Sequence, residues 1–175
     1  MKIIRDPNGD TRTCDWSKVS WVELLSSSIN HIGDVTKGMK FFTRLLMQVA
    51  KSHDFDKVKD IDRFHRDFAT GFKQTAWWDK HRKENRHHLE VEDGVPDDVN
   101  LVDVIEYIVD SVVAGMARSG EVRSLEISSE VLQRALYNTV ELLKRNVEVI
   151  TLEKLPIIVD QKKDCRSKER KKEDG

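Results

Sequence analysis

The sequence has few cysteines, no long apolar run and almost no net charge, and each absence excludes a class of protein. Cys14 and Cys165 are the only cysteines in 175 residues, too few for a disulfide framework and without zinc-knuckle spacing. No stretch is apolar enough to span a bilayer, and the first residues lack the apolar core of a signal peptide. The formal net charge of -1 argues against a nucleic-acid binder steered by bulk charge. We therefore predict a reduced, cytoplasmic protein without a membrane segment.

The chain is rich in apolar residues at helical spacing, and this pattern predicts a compact all-α bundle of five to six helices. The clearest stripe lies between His31 and Ser52 and alternates steps of four and three residues, as one face of a helix does. Its members are Val35, Met39, Phe42, Leu46 and Val49. Further helices are predicted for residues 16–30, 57–72 and 75–83, from Asp97 or Asp98 to 118, and from Ser128 or Ser129 to 146. Gly120 is expected to close the helix that ends at 118.

The two ends of the chain differ from this helical part. Residues 1–15 are rich in turn-forming types and predict an irregular leader before a single domain at 16–150. The β-branched segment 147–159, interrupted by Pro156, predicts a short strand or an extended arm. Residues 161–175 are almost wholly charged and predict disorder, so 151–175 form an arm and tail.

Histidines and carboxylates supply the first candidates for chemistry. The adjacent pair His53-Asp54 follows the clearest helix, and imidazole with carboxylate suits several divalent metals. By itself, the pair also fits a helix C-terminus at which a histidine faces the dipole. His31 lies at roughly 33 Å from His53 on one straight helix. The two share an ion only if the chain breaks near Gly33 or Gly38; otherwise, His31 is a helix-start histidine.

The segment 77–90 is the densest in histidine. His81, His87 and His88 fall within eight residues beside two tryptophans. If the segment is helical, His81 and His88 share one face with Asn85; the alternative is a basic surface loop.

Two aspartates lie on the following helix. Asp103 and Asp110 share a face opposite its main apolar side, which predicts a solvated surface. Ala114 and Ala117 lie on the side of Asp110 and permit close packing against another helix. The periodicity does not distinguish a ligand from a surface residue at Asp110.

The order His31, His53-Asp54, His87-His88 and Asp110 resembles the HD-domain superfamily of metal-dependent phosphohydrolases. The likeness is closest to a group of small HD-like proteins of bacteria and their phages. It covers residues 30–120, and Asn85-Arg86-His87-His88 is its most specific part. Many nucleotidases of the superfamily carry a catalytic Glu shortly after the His-Asp pair, where this chain has Asp56 and Lys57.

The resemblance implies hydrolysis of a nucleotide or a similar phosphate ester with one or two divalent ions, of manganese, zinc, nickel, iron or magnesium. Its implied metal ligands are His31, His53, Asp54, His81, His87, His88 and Asp110. Lys57 and Arg86 are expected to neutralise charge on the phosphoryl oxygens, and Asp54 to combine ligand and general-base roles.

Two alternatives stay open. One is a phage or mobile-element protein that binds a host protein, acts in the host cytoplasm and has a structural or vestigial metal site. The other is a di-iron HD-like oxygenase. Contact with nucleic acid is expected only through the basic tail, and homo-oligomerisation is left open.

Overall fold

The computed structural model describes residues 1–10, 12, 14–73 and 76–151, and helices dominate this part of the chain. The α-helices are α1 Trp21–Ser52, α2 Phe55–Lys59, α3 Ile61–Ala69, α4 Trp77–Glu84, α5 Leu101–Ser119 and α6 Ser129–Arg145. The predicted all-α architecture is confirmed. Within the described ranges, no helix has the length and apolar character needed to cross a membrane. The predicted disordered tail lies outside the described residues.

The first half of the domain is built on one long helix rather than the two predicted. Ser20 caps α1, since its hydroxyl accepts the Glu23 N–H at 3.3 Å and the Glu23 carboxylate accepts the Ser20 N–H at 2.9 Å. The serines that follow remain helical; the Ser28 hydroxyl donates to the Leu24 carbonyl at 2.7 Å. The helix continues through Gly33 and Gly38, so the break that His31 and His53 would need to share an ion is absent.

The predicted helix at 57–72 is two short helices, α2 and α3, separated at Asp60. The N-cap of α5 is Asn100 rather than Asp97 or Asp98. Its side chain accepts the Val102 N–H at 2.9 Å, while the Asp103 carboxylate accepts the Asn100 N–H at 2.8 Å. The predicted end of α5 is confirmed, because Gly120 adopts φ 76° there, and Ser128 caps α6 as predicted.

The two ends of the described chain pair with each other. Strand β1 (Lys2–Ile4) lies parallel to β2 (Glu148–Ile150), with Ile3 opposite Val149. The leader is therefore not irregular throughout, and the strand predicted within 147–159 is confirmed at 148–150. The Lys37 ammonium donates to the Lys2 carbonyl at 3.0 Å, which ties this small sheet to α1.

The described hydrophobic core is small and lies between α5, α6 and the segment before α5. Its buried members are Leu89, Val99, Val104, Tyr107, Val131 and Ala135. The Tyr107 hydroxyl donates to the Glu126 carbonyl at 3.1 Å and accepts the Glu126 N–H at 3.0 Å. This core fixes α5, against which the C-terminal half of α1 packs. Helix α1 itself contributes no buried residue.

Candidate metal centre

The end of α1 delivers the first two functional side chains. The His53 N–H closes the last turn on the Val49 carbonyl at 2.8 Å. Asp54 then adopts a left-handed backbone, with φ 52°, a conformation that aspartate tolerates better than most residues. The chain reverses at this point into α2. The turn directs both side chains toward the segment after α4 and toward α5.

The turn after α4 delivers two more histidines, and Arg86 anchors it. The Arg86 guanidinium donates to both Asp103 carboxylate oxygens at 2.8 Å and to Asp98 at 2.9 Å. Asp103 is 1% exposed, so the solvated face predicted for it is wrong. The hydrogen bond to Asp103, above all, raises the pKa of Arg86. Because these contacts join the turn to α5, they favour a positioning role for Arg86. Its predicted role toward phosphate stays a prediction.

One group of potential ligands joins the end of α1 to α5. His53 Nε2 lies 3.5 Å from Asp54 Oδ2 and 3.5 Å from Asp110 Oδ1. His87 Nε2 lies 3.6 Å from Asp54 Oδ1 and 4.0 Å from Asp110 Oδ2. These separations are long for hydrogen bonds. They are close to the roughly 3.4 Å between neighbouring donors of a tetrahedral ion with bonds of about 2.1 Å.

Glu106 faces both histidines of this group and forms a hydrogen bond with His53. His53 Nδ1 donates to Glu106 Oε1 at 3.0 Å, and His87 Nδ1 lies 3.2 Å from the same oxygen. With Nδ1 directed at the carboxylate, the Nε2 lone pairs face Asp54, as in many metal sites. Burial disfavours the charged forms of Glu106 and His87. Their mutual attraction outweighs burial, so the pKa of Glu106 is lowered and that of His87 is raised. Sequence reasoning missed Glu106, whose signal was its position one turn before Asp110 on α5.

A second group adjoins the first and contains Asp54, His81 and His88. His81 Nε2 lies 3.5 Å from Asp54 Oδ1 and 3.0 Å from His88 Nε2. Asp56 accepts a hydrogen bond from His81 Nδ1 at 2.7 Å and so directs Nε2 of His81 toward Asp54. The rings of Trp77 and Trp78 stack on His81, with centroids 4.9 and 5.2 Å away.

Burial keeps the histidines of the second group neutral. It lowers the pKa of His81 despite the opposing effect of Asp56. Burial, together with the neighbouring His87 and His81, lowers the pKa of His88 to about 3. The neutral imidazole is the form that binds a metal ion.

Asp54 belongs to both groups and carries the clearest sign of a missing partner. Its Oδ2 accepts a hydrogen bond from the Lys57 ammonium. Burial would raise the pKa of Asp54, but the bond and charge of Lys57 outweigh it and lower that pKa. Among the described residues, Asp54 Oδ1 and His87 Nε2 are buried without any hydrogen-bond partner, which is rare for polar atoms. The donor set fits a cation between them, so these groups can hold a metal ion.

The structure brings six of the seven predicted metal ligands together. They are His53, Asp54, His81, His87, His88 and Asp110. His31 is the exception, because it is exposed on the unbroken α1. At about 1.5 Å per residue it lies roughly 33 Å along the helix from His53. Of the predicted catalytic residues, Asp54 and Lys57 lie at the centre and Arg86 beside it.

An apolar groove opens beside the first group. Its volume is about 480 Å³, and it runs between α1 and α5. His53, Glu106 and Asp110 line it together with apolar side chains that include Leu46 and Val109. The groove therefore connects the surface to the ligands of the first group.

Comparison of the chain with models of protein families, with curated proteins and with solved structures found no match. The likeness to HD-domain proteins thus rests on the order of motifs alone and stays a prediction. The described residues establish an all-helical fold with buried histidine and aspartate groups that can hold a metal ion.

Proposed function

We propose that this protein is a metal-dependent phosphohydrolase that acts on a nucleotide or a similar phosphate ester. The observation that supports it is the position of Asp54, whose unpartnered Oδ1 faces His81 in one ligand group and His87 in the other. Two ions held close together by shared carboxylates are a common arrangement in enzymes that cleave phosphate esters.

Each group offers a complete set of ligands for one ion. His53, His87 and Asp110 would hold the first, and His81 and His88 the second, with Asp54 common to both. Four imidazoles favour iron, zinc or nickel over magnesium, which prefers oxygen ligands, and the carboxylates of Asp54 and Asp110 add ligands that suit manganese. A bound divalent cation supplies Lewis acidity toward a phosphoryl oxygen and lowers the pKa of water.

The chain's own residues prepare the site for this chemistry. Glu106 and Asp56 hold the imidazoles with Nε2 facing inward. Lys57 places a positive charge beside Asp54. This charge would stabilise the negative charge on the oxygens of the phosphoryl group during transfer. Hydrolysis would form a bond from a water oxygen to phosphorus and break the ester P–O bond, with the leaving oxygen protonated. The ionised Asp54 carboxylate is in the form that accepts a proton from water.

Phosphate release from a panel of nucleotides and aryl phosphates tests the proposal, with protein reconstituted in manganese, iron, zinc or nickel. We expect turnover with at least one ester, and a loss of about 100-fold or more in His53→Ala. His31→Ala is the matched control, since it removes an exposed histidine from the same helix, and should keep the wild-type rate. Full activity in His53→Ala, or no phosphate release by metal-loaded wild type, would contradict the proposal. A chain whose thermal stability does not respond to metal favours the host-interaction hypothesis instead.

The same donor set supports one alternative, a di-iron oxygenase. Imidazole and carboxylate ligands around two adjacent positions also suit iron that reacts with oxygen. A coloured, iron-containing preparation that consumes oxygen in the presence of substrate and releases no phosphate would favour that alternative.

A further inference from the structure

Residues 21–39 of α1 carry an apolar face that the described residues leave uncovered. Its large side chains are 43% to 74% exposed. They are Trp21, Val22, Leu25, Ile29, Ile32, Val35 and Met39. The 3-10 turn Pro7–Gly9 lies against Ser27, on a different side of the helix that includes the half-buried Phe41 and Leu45. Helix α5 packs against the C-terminal turns of α1, where Leu46 and Val49 line the groove between the two helices.

The pattern of α1 is typical of a helix that packs along another long helix. Alternating steps of four and three residues run from Trp21 to Val49, which is four heptads. The stripe consists of Trp21, Leu25, Ser28, Ile32, Val35, Met39, Phe42, Leu46 and Val49. The positions that flank it contain no Asp, Glu, Lys or Arg. All six such residues of α1 lie on its other side: Glu23, Asp34, Lys37, Lys40, Arg44 and Lys51.

We propose that a second copy of this chain covers this face, so that two α1 helices pack side by side in a homodimer. A stripe without flanking charges meets its own copy without like-charge repulsion. Trp21 would present roughly 150–250 Å² if fully exposed and the six other side chains less, so at their exposures the seven residues together present several hundred Å². A stable interface of standard size buries about 800 Å² from each partner. The exposed face is therefore of the order that a dimer interface needs.

The charged tail 161–175 is not suited to cover this face, whereas the apolar composition of 152–159 makes that segment a competing occupant. A wild-type chain that stays monomeric in sedimentation is the result that this competitor predicts. Residues 161–175 contain 11 charged residues and no large apolar side chain, so they cannot replace water along an apolar stripe. The stripe also continues into Leu46 and Val49, which line the groove beside the metal centre. The dimer contact would therefore reach the wall of that groove. The dimer does not depend on the proposed hydrolase activity.

Sedimentation equilibrium of the full chain over a range of concentrations tests the dimer. We expect wild type at twice the chain mass of 20.3 kDa. The double variant Ile32→Glu, Met39→Glu places charge in the stripe, and its dimer dissociation constant should rise at least about 100-fold. The matched control Asn30→Glu, Gln48→Glu adds the same charge to exposed positions on the opposite side of α1 and should remain dimeric.

Circular dichroism checks that each variant keeps its helical content. If the glutamate variant loses it, Ile32→Ser provides the second test, because it removes apolar area without adding charge and should still weaken the dimer. A wild-type chain that sediments as a monomer at every concentration overturns the proposal. So does a folded stripe variant that dimerises as tightly as the control.

Discussion

The two ends of α1 depart from the usual distribution of polar and apolar groups in opposite ways. At the C-terminal end, His53 and Asp54 join a buried cluster of ionisable side chains. Along residues 21–39, large apolar side chains such as Ile32 and Met39 are 64% exposed. Buried polar atoms without partners and extended exposed apolar stripes each indicate that something binds there. These two features support the proposals that one helix contributes to a cation site at its C-terminal end and packs against another apolar surface along residues 21–39.

Removing the charge of Asp54 should reduce metal binding at the C-terminal end of α1 more than any other substitution. In Asp54→Asn, both ligand groups lose the carboxylate that they share, and an amide is a much poorer ligand. We expect metal content near zero and a fall in phosphate release of about 1,000-fold or more. Elemental analysis and initial rates measure the two effects. Asp62→Asn, which changes an exposed aspartate of α3, is the control and should resemble wild type. An Asp54→Asn protein that keeps its metal would show that Asp54 is not the shared ligand.

Changing the carboxylates behind the histidines should separate the two ligand groups. Glu106→Gln replaces the carboxylate that faces His53 and His87 with a neutral amide, and Asp56→Asn does the same behind His81. Because the ligands themselves remain, we expect each variant to weaken one ion by about 10- to 100-fold. Titration with metal in the presence of a competing chelator measures both affinities. Equal weakening of both ions by either variant would argue against two distinct groups.

Local patterns predicted the elements of this structure better than the contacts between them. The stripe of α1 and the caps Ser128 and Gly120 were visible because helix periodicity and capping act over a few residues. The break near Gly33 that a shared ion at His31 and His53 required does not occur, since glycine lowers helix propensity by only about 1 kcal/mol. Two weak helix formers do not outweigh a long helical run.

The sequence predicted the candidate metal ligands better than it predicted the residues that orient them. A continuous helix would have placed His81 and His88 on one face; they meet instead because the chain turns after α4. Glu106 contacts His53 across 53 residues of sequence, and local periodicity carries no such information. Asp103 was assigned to solvent because its partner Arg86 lies in a preceding turn rather than on the same helix.

Arg86→Lys should distinguish a positioning contact from a phosphate contact. Lysine keeps the charge but cannot make the two parallel hydrogen bonds to Asp103. We expect a loss of about 1–2 kcal/mol in the free energy of unfolding, after allowance for the partial exposure of Arg86. Metal affinity should fall as well, because the turn carries His87 and His88. A raised KM with unchanged stability and metal content would restore the predicted role of Arg86 toward phosphate.

The smallest expected effect is a pH dependence of the metal-free protein. The pKa of His88 is lowered to about 3 in the folded chain, so the unfolded chain binds a proton there that the folded chain does not. The stability from His88 is therefore present above about pH 6.5 and is lost as the pH falls toward 3. His87, with a raised pKa, acts in the opposite direction and reduces the net change. Urea unfolding at pH 7.5 and 5 should show lower stability at pH 5, and His88→Gln should reduce the difference. An unchanged difference in that variant would place its origin elsewhere.

The most direct measurement is the number of metal ions per chain in wild type, His53→Ala and His31→Ala after reconstitution and removal of free metal. Both histidines lie on or at the end of α1, but His53 belongs to a ligand group and His31 does not. We predict two ions per wild-type chain, one for each group. His53→Ala should lose at least one of them, and His31→Ala should keep both. Equal metal content in wild type and His53→Ala, or loss of metal in His31→Ala alone, would contradict the assignment of the centre.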